Sequence, residues 1–529
     1  MNGMSALRTG VHSKQFSSFD RKGTNDDGGP FACLRTDLFG HCVIGEHLGA
    51  GEIDSIWMTR DNGVFNKTGK LLIKLDDIIV LDHNLQDILN GQLGAPFVWP
   101  LVGNGDDTSG GGVIKVPMPF KRSMFVAVDQ NPNYYHITYR TFGDSTHIET
   151  FDPSDTAEDV IKQLRSFGLK DPKPAVSGVQ NERNAHTLNT TVTTIFERHN
   201  FSGEVRELRL QAPDLVRSPR TVDDGRAFGL NGWSEYIAAV DPMNTGVRIT
   251  RRLDPNVGKE VATLIVDGTT AGVWDSTNIT GQGVWAEQTV QIGAQLTKNK
   301  THINVRQVFV SSAKDFNEFR YEIDSLVRGQ WVRTDVLEVG PNHPGDEKAH
   351  HYQISGQTFA GQRLFRYEVE PKTLQMSDQF LATTHIRITF DGTVTVDAPL
   401  GQFFGTGLGM FDTRSLWFGV DARNRVFSAF WSMPFASSVK IDIISANVSD
   451  IHIVSDVTFV NDSNIKVLLE SKQMSHFHAT HNSYTTTPGN DYVFLNTSGW
   501  GTVYGVSHTM RGLIKSGNIR DYLEGDERI

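Results

Sequence analysis

The chain repeats part of itself 315 residues later without a gap. Ile73, Asp76, Asp82, Leu85, Leu93 and Gly94 align with Ile388, Asp391, Asp397, Leu400, Leu408 and Gly409, an offset of 388 − 73 = 315 throughout. At the same offset Met118-Pro119-Phe120 aligns with Met433-Pro434-Phe435, and Ser123 with Ser438. Ile88-Leu89 fall on Phe403-Phe404, so those positions stay apolar. Convergent strand–turn patterning can match three residues; it does not readily hold one register from residue 73 to residue 123. The pattern is that of two related domains in one chain. A length of 529 residues agrees, since it exceeds a single compact core and suits two to four domains.

The repeated stretches, and most apolar segments elsewhere, alternate with a period of two. Leu71–Leu75, Val247–Thr250, Thr301–Val308 and Ile386–Phe390 are examples, each bounded by turn residues. Such runs are strand signals. The expected fold is all-β, with two related jelly-roll domains and an additional β-sandwich inserted into or between them. The expected division is 1–214 for the first jelly roll, 215–331 for the insert and 332–529 for the second jelly roll. One helix is expected over Thr156–Phe167, capped by Asp155 or Ser154, with Val160, Ile161, Leu164 and Phe167 as its apolar stripe. Residues 342–345 and 370–379 read as loops. Arg251-Arg252 and a following Val-Asp-Gly turn give the insert a weak likeness to a carbohydrate-binding module, against a plain spacer.

Composition excludes several functions. Fifty Lys and Arg stand against 61 Asp and Glu, a net charge of −11. There is no basic excess to neutralise phosphates, so no nucleic-acid partner is expected. No run approaches the roughly 20 apolar residues of a membrane span, and no membrane partner is expected. Residues 1–22 contain no apolar run of signal-peptide length, which favours a cytoplasmic over a secreted protein. Cys33 and Cys42, nine residues apart, are near enough to bridge, but two cysteines do not staple a chain this long.

The common catalytic motifs are missing. There is no phosphate-binding Gly-x-x-x-x-Gly-Lys-[Ser/Thr] loop, and Gly505-Val506-Ser507-His508 fails as a nucleophile elbow. His476 and His478 would share a strand face, as metal ligands do, but His481 follows at an awkward spacing and no carboxylate is adjacent. A structural role is expected for these histidines, and no metal or cofactor. The acidic loop of residues 24–29 lacks the spaced ligands of a Ca²⁺ site and reads as an Asx-rich turn. Near the end, Glu524, Asp526 and Glu527 crowd together. Crowded carboxylates raise at least one pKa, as a general acid requires, although a solvated acidic turn has the same composition.

An ordered set of segments resembles glycoside hydrolase family 172. The set is Ser17-Ser18-Phe19-Asp20-Arg21-Lys22-Gly23-Thr24-Asn25-Asp26-Asp27-Gly28, then Gly51-Glu52-Ile53-Asp54-Ser55-Ile56-Trp57-Met58-Thr59, Leu400-Gly401-Gln402-Phe403-Phe404-Gly405, Ser432-Met433-Pro434-Phe435, Phe477-His478-Ala479 and Leu523-Glu524-Gly525-Asp526-Glu527. They cover both ends of the chain but not residues 215–331. The resemblance implies paired jelly rolls, a homotrimer or homohexamer, and retaining hydrolysis or transglycosylation of furanosides such as α-D-fructofuranosides or D-arabinofuranosides. It implies that Glu524 is one of two catalytic glutamates. The other belongs to a downstream Gly-Thr-Gly-x-Glu-Asp motif with no counterpart here, so the chain reads as truncated and inactive as given. Retention needs two carboxyl groups about 5–5.5 Å apart. Asp20, Arg21, Asn25, Trp57 and His478 are the candidate sugar-binding residues, and Trp417, Trp431 and Trp500 are further aromatic candidates. A non-catalytic carbohydrate-binding or capsid-like assembly protein is the alternative.

Overall fold

The computed structural model describes all residues except 1–2, 23–25, 30–31, 190–191, 408, 446–449, 488, 519–520 and 524–529. Among them the chain is built of antiparallel sheets packed in pairs. In the first pair, one sheet runs Val11–Ser17, Tyr134–Phe142, Gly51–Thr59, Gly111–Ile114 and Val102–Gly103. The other runs Arg35–Thr36, Cys42–Leu48, Ser123–Val128, Lys70–Leu75 and Ile78–Asn84. This is jelly-roll connectivity: each sheet draws strands from both ends of the segment. Alternating residues such as Ile44, Ile56, Ile73, Val126 and Ile137 fill the space between the sheets.

The second jelly roll repeats the plan. Its sheets run Val179–Leu188, Ile451–Asn461, Gly203–Gln211, Val426–Ala429 and Phe418–Asp421, and Val192–His199, Ser438–Ile444, His385–Phe390 and Thr393–Pro399. The hairpin of 70–84 recurs at 385–399, and both carry a β-bulge, at Ile73/Lys74 and at Ile388/Thr389. After the first strand of each hairpin an aspartate takes a left-handed conformation, Asp76 at φ +52° and Asp391 at φ +51°. Each carboxylate then accepts three backbone N–H groups in the loop ahead of the next strand. They are Lys121, Arg122 and Ser123 for Asp76, and Ala436, Ser437 and Ser438 for Asp391. The conserved-looking aspartates of the repeat are therefore turn residues doing a backbone task. Asn and Asp visit the left-handed region at lower cost than other side chains, and only they can also accept the loop's N–H groups.

A third sandwich occupies residues 222–365. One sheet runs Thr269–Asp275, Val261–Val266, His302–Ser311, Arg220–Ala239 and Phe316–Glu318, with Gln353–Arg366 also on Arg220–Ala239. The other runs Ala286–Gly293, Gly246–Leu253, Arg320–Val327 and Gln330–Glu338. It has its own core around Tyr236, Ile249, Leu264, Trp274 and Ile323. It enters the second jelly roll between the third and fourth strands of that roll, Gly203–Gln211 and His385–Phe390. Division by contacts gives two compact units: residues 9–165 with 222–365 and 514–529, and residues 1–8 with 166–221 and 366–513. The strands between 179 and 211 thus belong with the second jelly roll, and the insert extends past 331 to 365, where the sequence placed boundaries at 214 and 331.

Three local expectations change. The helix over 156–167 shortens to Glu158–Leu164. Asp155 closes an Asx turn on the amide of Ala157 (3.0 Å) in place of a helix cap, and Val160 faces solvent. The expected loop at 370–379 is the helix Pro371–Thr383. The Glu370 carboxylate caps it through Lys372 and Thr373, and Pro371 opens it without losing a needed N–H. The expected loop at 342–345 runs into the short helix Pro344–Ala349. Cys33 and Cys42 form the disulfide that their spacing allows. No helix among the described residues is long and apolar enough to cross a membrane.

Candidate functional site

The signature segment 17–29 leaves the first strand of the first jelly roll and closes on itself. Asp20 is nearly buried, and its carboxylate accepts the amides of Lys22 (2.8 Å) and Asp26 (3.4 Å). Asp27 in turn accepts the Asp20 amide (2.5 Å). The acidic residues are spent on this turn, as expected of an Asx-rich loop. Arg21 is exposed. It donates to the Ser17 carbonyl (3.2 Å) and lies over the Phe19 ring at 4.9 Å. Asn25 lies outside the described residues.

The loop is held from below by Tyr135. Its amide donates to Ser18 Oγ (3.1 Å), its carbonyl accepts the Ser18 amide (3.2 Å), and its buried hydroxyl donates to the Ala32 carbonyl (2.8 Å). Burial pushes the Tyr135 phenol up to about 12, with Arg21 opposing, so it stays a donor. Asn131 adds a bond to the Gly29 carbonyl (3.0 Å). Gly28 must be glycine. Its φ is +69°, and a Cβ there would meet Tyr134 at 2.8 Å. Beyond the turn, the Cys33–Cys42 bridge ties the returning chain to the second sheet. The result is a fixed loop presenting Arg21. The supports from Tyr135 and Asn131 were not legible in the sequence, because they lie about a hundred residues from the loop they hold.

Trp57 stands on the outer face of strand Gly51–Thr59, 36% exposed, with its ring 5.3 Å from that of His136 on the neighbouring strand. His136 also meets Gln15 Nε2 at 3.3 Å. An aromatic face flanked by planar polar groups suits the C–H face and hydroxyls of a sugar. On the same strand, a bulge opposite Thr138 and Tyr139 brings Glu52 and Asp54 together on Arg140, with Asp54 Oδ1 2.8 Å from Nε. Burial, helped by Glu52 and opposed by Arg140, raises the Asp54 carboxyl to about 6. The sequence reading passed over this pair, since two acids at alternate strand positions look like a solvated face.

In the second jelly roll His476, His478 and His481 do not converge. His476 bonds Asp391 (2.9 Å) and stacks on Phe390 at 5.7 Å. His478 is exposed, and its pKa is lowered by partial burial and by His476. Trp431 stacks between Trp417 and Phe477, with Tyr504 edge-on to both tryptophans, whereas Trp500 is exposed. Glu524 lies outside the described residues; Asp521–Leu523 forms a 3-10 turn.

One group of metal-type ligand atoms lies within 4.8 Å among the described residues: Asp223, Asp224 and His343, in the third sandwich. Its members are already engaged. Asp223 pairs with Arg252 (2.6 Å), and Asp224 accepts the Asn342 amide (2.6 Å) and faces His343 Nε2 (3.0 Å). Against the effect of burial, these carboxylates hold His343 up to about 9, so the group is an ion-pair network around an imidazolium. Arg251, part of the weak likeness to a carbohydrate-binding module, is fully buried on Glu260 and the Asn317 carbonyl.

Comparison with known proteins bears on the two jelly rolls. Residues 9–159 match the GH172 first beta-sandwich domain, and residues 350–455 match a GH172 domain-like unit. The resemblance to glycoside hydrolase family 172 therefore stands on two separate stretches, one over the first jelly roll and one running from the last strand of the third sandwich into the second jelly roll. No curated protein matches the chain. Among solved structures, a GH78 family rhamnosidase of Bacillus sp. GL1 aligns at 8% identity over 87% of this chain and 54% of its own, with a TM-score of 0.10. The chain spans about half the length of that protein, and a likeness at that score carries no argument. The domain matches support a glycoside hydrolase-like function.

Proposed function

We propose that the chain is a retaining furanosidase or transglycosidase acting on α-D-fructofuranosides or D-arabinofuranosides within oligo- or polysaccharides. The observation that carries this reading is the pair of family matches, at 9–159 and 350–455. Glu524 is one carboxyl group of the catalytic pair, as nucleophile or acid/base. Its partner is assigned by resemblance to a Gly-Thr-Gly-x-Glu-Asp motif not contained in residues 1–529. On the first jelly roll Arg21, Asn25, and Trp57 with His136 are the sugar-binding groups, and His478 is the one on the second jelly roll. Asp20 holds the loop that presents Arg21. Assembly is as a homotrimer or homohexamer.

In such a mechanism one carboxylate attacks the anomeric carbon while the other protonates the leaving oxygen. Water then hydrolyses the glycosyl ester with the second group acting as base. The test is a panel of nitrophenyl furanosides offered to the complete gene product, with light scattering for the assembly. Release of nitrophenol with retained anomeric configuration is expected. Glu524→Gln should lower kcat by about 10³-fold or more while leaving the assembly intact. A Gln variant near wild type would remove Glu524 from the mechanism. An intact panel would sink the furanosidase reading.

A further inference from the structure

We propose that the third sandwich carries a separate binding cleft for a single neutral sugar residue. The cleft has a volume of about 160 Å³ and opens where the loops at 254–258 and 312–315 meet strand Gln353–Arg366. Its polar lining is Asp254, Asn256, Lys314, Asp315 and Arg363, and Phe359 supplies an aromatic wall. Two acids and two bases cancel, so the cleft has no net preference for an anion or a cation. Pockets that enclose drug-sized ligands run from about 300 Å³ upward, so this one fits a single ring and not a nucleotide or a buried oligosaccharide.

The cleft is built before any ligand arrives. Asn317, 2% exposed beneath it, locks the 254–256 loop. Its Oδ1 accepts the Asp254 amide (2.8 Å) and its Nδ2 donates to the Asp254 carbonyl (3.0 Å). Asp254 Oδ1 accepts the Asn256 amide (2.9 Å), and Asp315 Oδ2 accepts Thr358 Oγ1 (2.8 Å). Arg363 lies over the Phe359 ring at 4.3 Å and donates through Nη1 to the Gln362 carbonyl (2.9 Å). Its Nε stands 3.5 Å from Asp254, too long for a strong bond. The Asn256 amide side chain and the Lys314 ammonium make no hydrogen bond to any described residue. An unspent amide and an unspent ammonium beside an aromatic wall are groups that can meet vicinal hydroxyls and a C–H face.

This site does not rest on the hydrolase reading. The loops at 254–258 and 312–315 lie outside both family matches, while Phe359 and Arg363 fall within the second, at 350–455. It also differs from the Arg251-Arg252 signal read from the sequence, since those arginines are buried in ion pairs. The experiment is saturation-transfer NMR on the whole chain with methyl glycosides of neutral pentoses and hexoses, a methyl uronoside, and CaCl₂ in a separate arm. A ligand of this size is expected to saturate with a dissociation constant of about 1 mM. Asn256→Ala and Phe359→Ala should each weaken it about tenfold, with the unfolding temperature unchanged for Asn256→Ala. Asn256 is on an exposed loop, so that variant keeps the test independent of any folding defect at Phe359. Absence of saturation by every neutral glycoside, binding confined to the uronoside or to Ca²⁺, or binding that survives both substitutions would each overturn the proposal.

Discussion

Replacing Asp391 with Asn should destabilise the second jelly roll by about 2 kcal/mol at neutral pH. The carboxylate accepts the amides of Ala436 (2.8 Å), Ser437 (2.6 Å) and Ser438 (2.9 Å), together with Ser437 Oγ (2.9 Å) and His476 Nε2 (2.9 Å). Burial alone would raise its pKa. Those donors win and hold it at about 2, against an ordinary 3.8. The difference from 3.8 to about 2, at about 1.4 kcal/mol per pKa unit, is about 2.5 kcal/mol, and solvent screening of the partly exposed carboxylate brings it to about 2 kcal/mol. A separate route agrees: losing the charge on two or three bonded N–H groups costs about 1 kcal/mol each, less what a neutral amide oxygen recovers. Asn keeps the side-chain volume and tolerates φ +51°, so backbone strain does not enter.

The sign of the pH dependence follows from the same shift. The folded state binds fewer protons than the unfolded state between pH about 2 and about 4, so stability rises with pH across that window. The contribution is complete above the unfolded pKa and is lost as pH falls through the folded one. Wild type should therefore weaken from pH 5 to pH 2, and the Asn variant should lose most of that slope. Calorimetric unfolding at several pH values measures the transition, and amide exchange at Ser437 and Ser438 localises it. The matching substitution Asp76→Asn should release Lys121, Arg122 and Ser123 and affect the first jelly roll instead. An Asp391→Asn protein within about 0.5 kcal/mol of wild type at pH 7, with unchanged exchange at Ser438, would refute the reasoning.

Two further outcomes are expected from the loop that presents Arg21. Gly28→Ala forces a Cβ against Tyr134 and a left-handed φ, costing about 1–2 kcal/mol locally; KM for the furanoside should rise far more than the unfolding temperature falls, and an unchanged KM would separate the loop from substrate. Opening the Cys33–Cys42 bridge by reduction, or by paired Ser substitution, frees a nine-residue separation and should cost about 2–3 kcal/mol; limited proteolysis should then cut within 26–41, and resistance equal to the oxidised protein would show that Tyr135 and Asn131 suffice.

What the sequence made legible follows the range of the forces involved. The jelly rolls were visible because strand alternation, the hairpin bulge and the left-handed aspartate are local, and each recurs at one offset. Their edges were not. Phe196 pairs with Ile441 and Leu208 with Val457, contacts that no neighbouring residue announces, so strands that complete the second roll read as the tail of the first. The helix Pro371–Thr383 was missed for a related reason: its face is mostly polar, and its strongest signal is a Glu370 cap that a loop can also contain. The signature loop shows the same limit within a site. Its residues were named from the sequence, yet the chemistry divides them. Asp20 turns inward and holds the loop through the amides of Lys22 and Asp26, Arg21 stays exposed over Phe19 with a bond to the Ser17 carbonyl, and Tyr135, more than a hundred residues away, ties the loop down at Ser18 and Ala32. A polar residue in a recognised segment is thus as apt to hold the segment as to touch a ligand. Which it does depends on where the remainder of the fold has already placed donors for it.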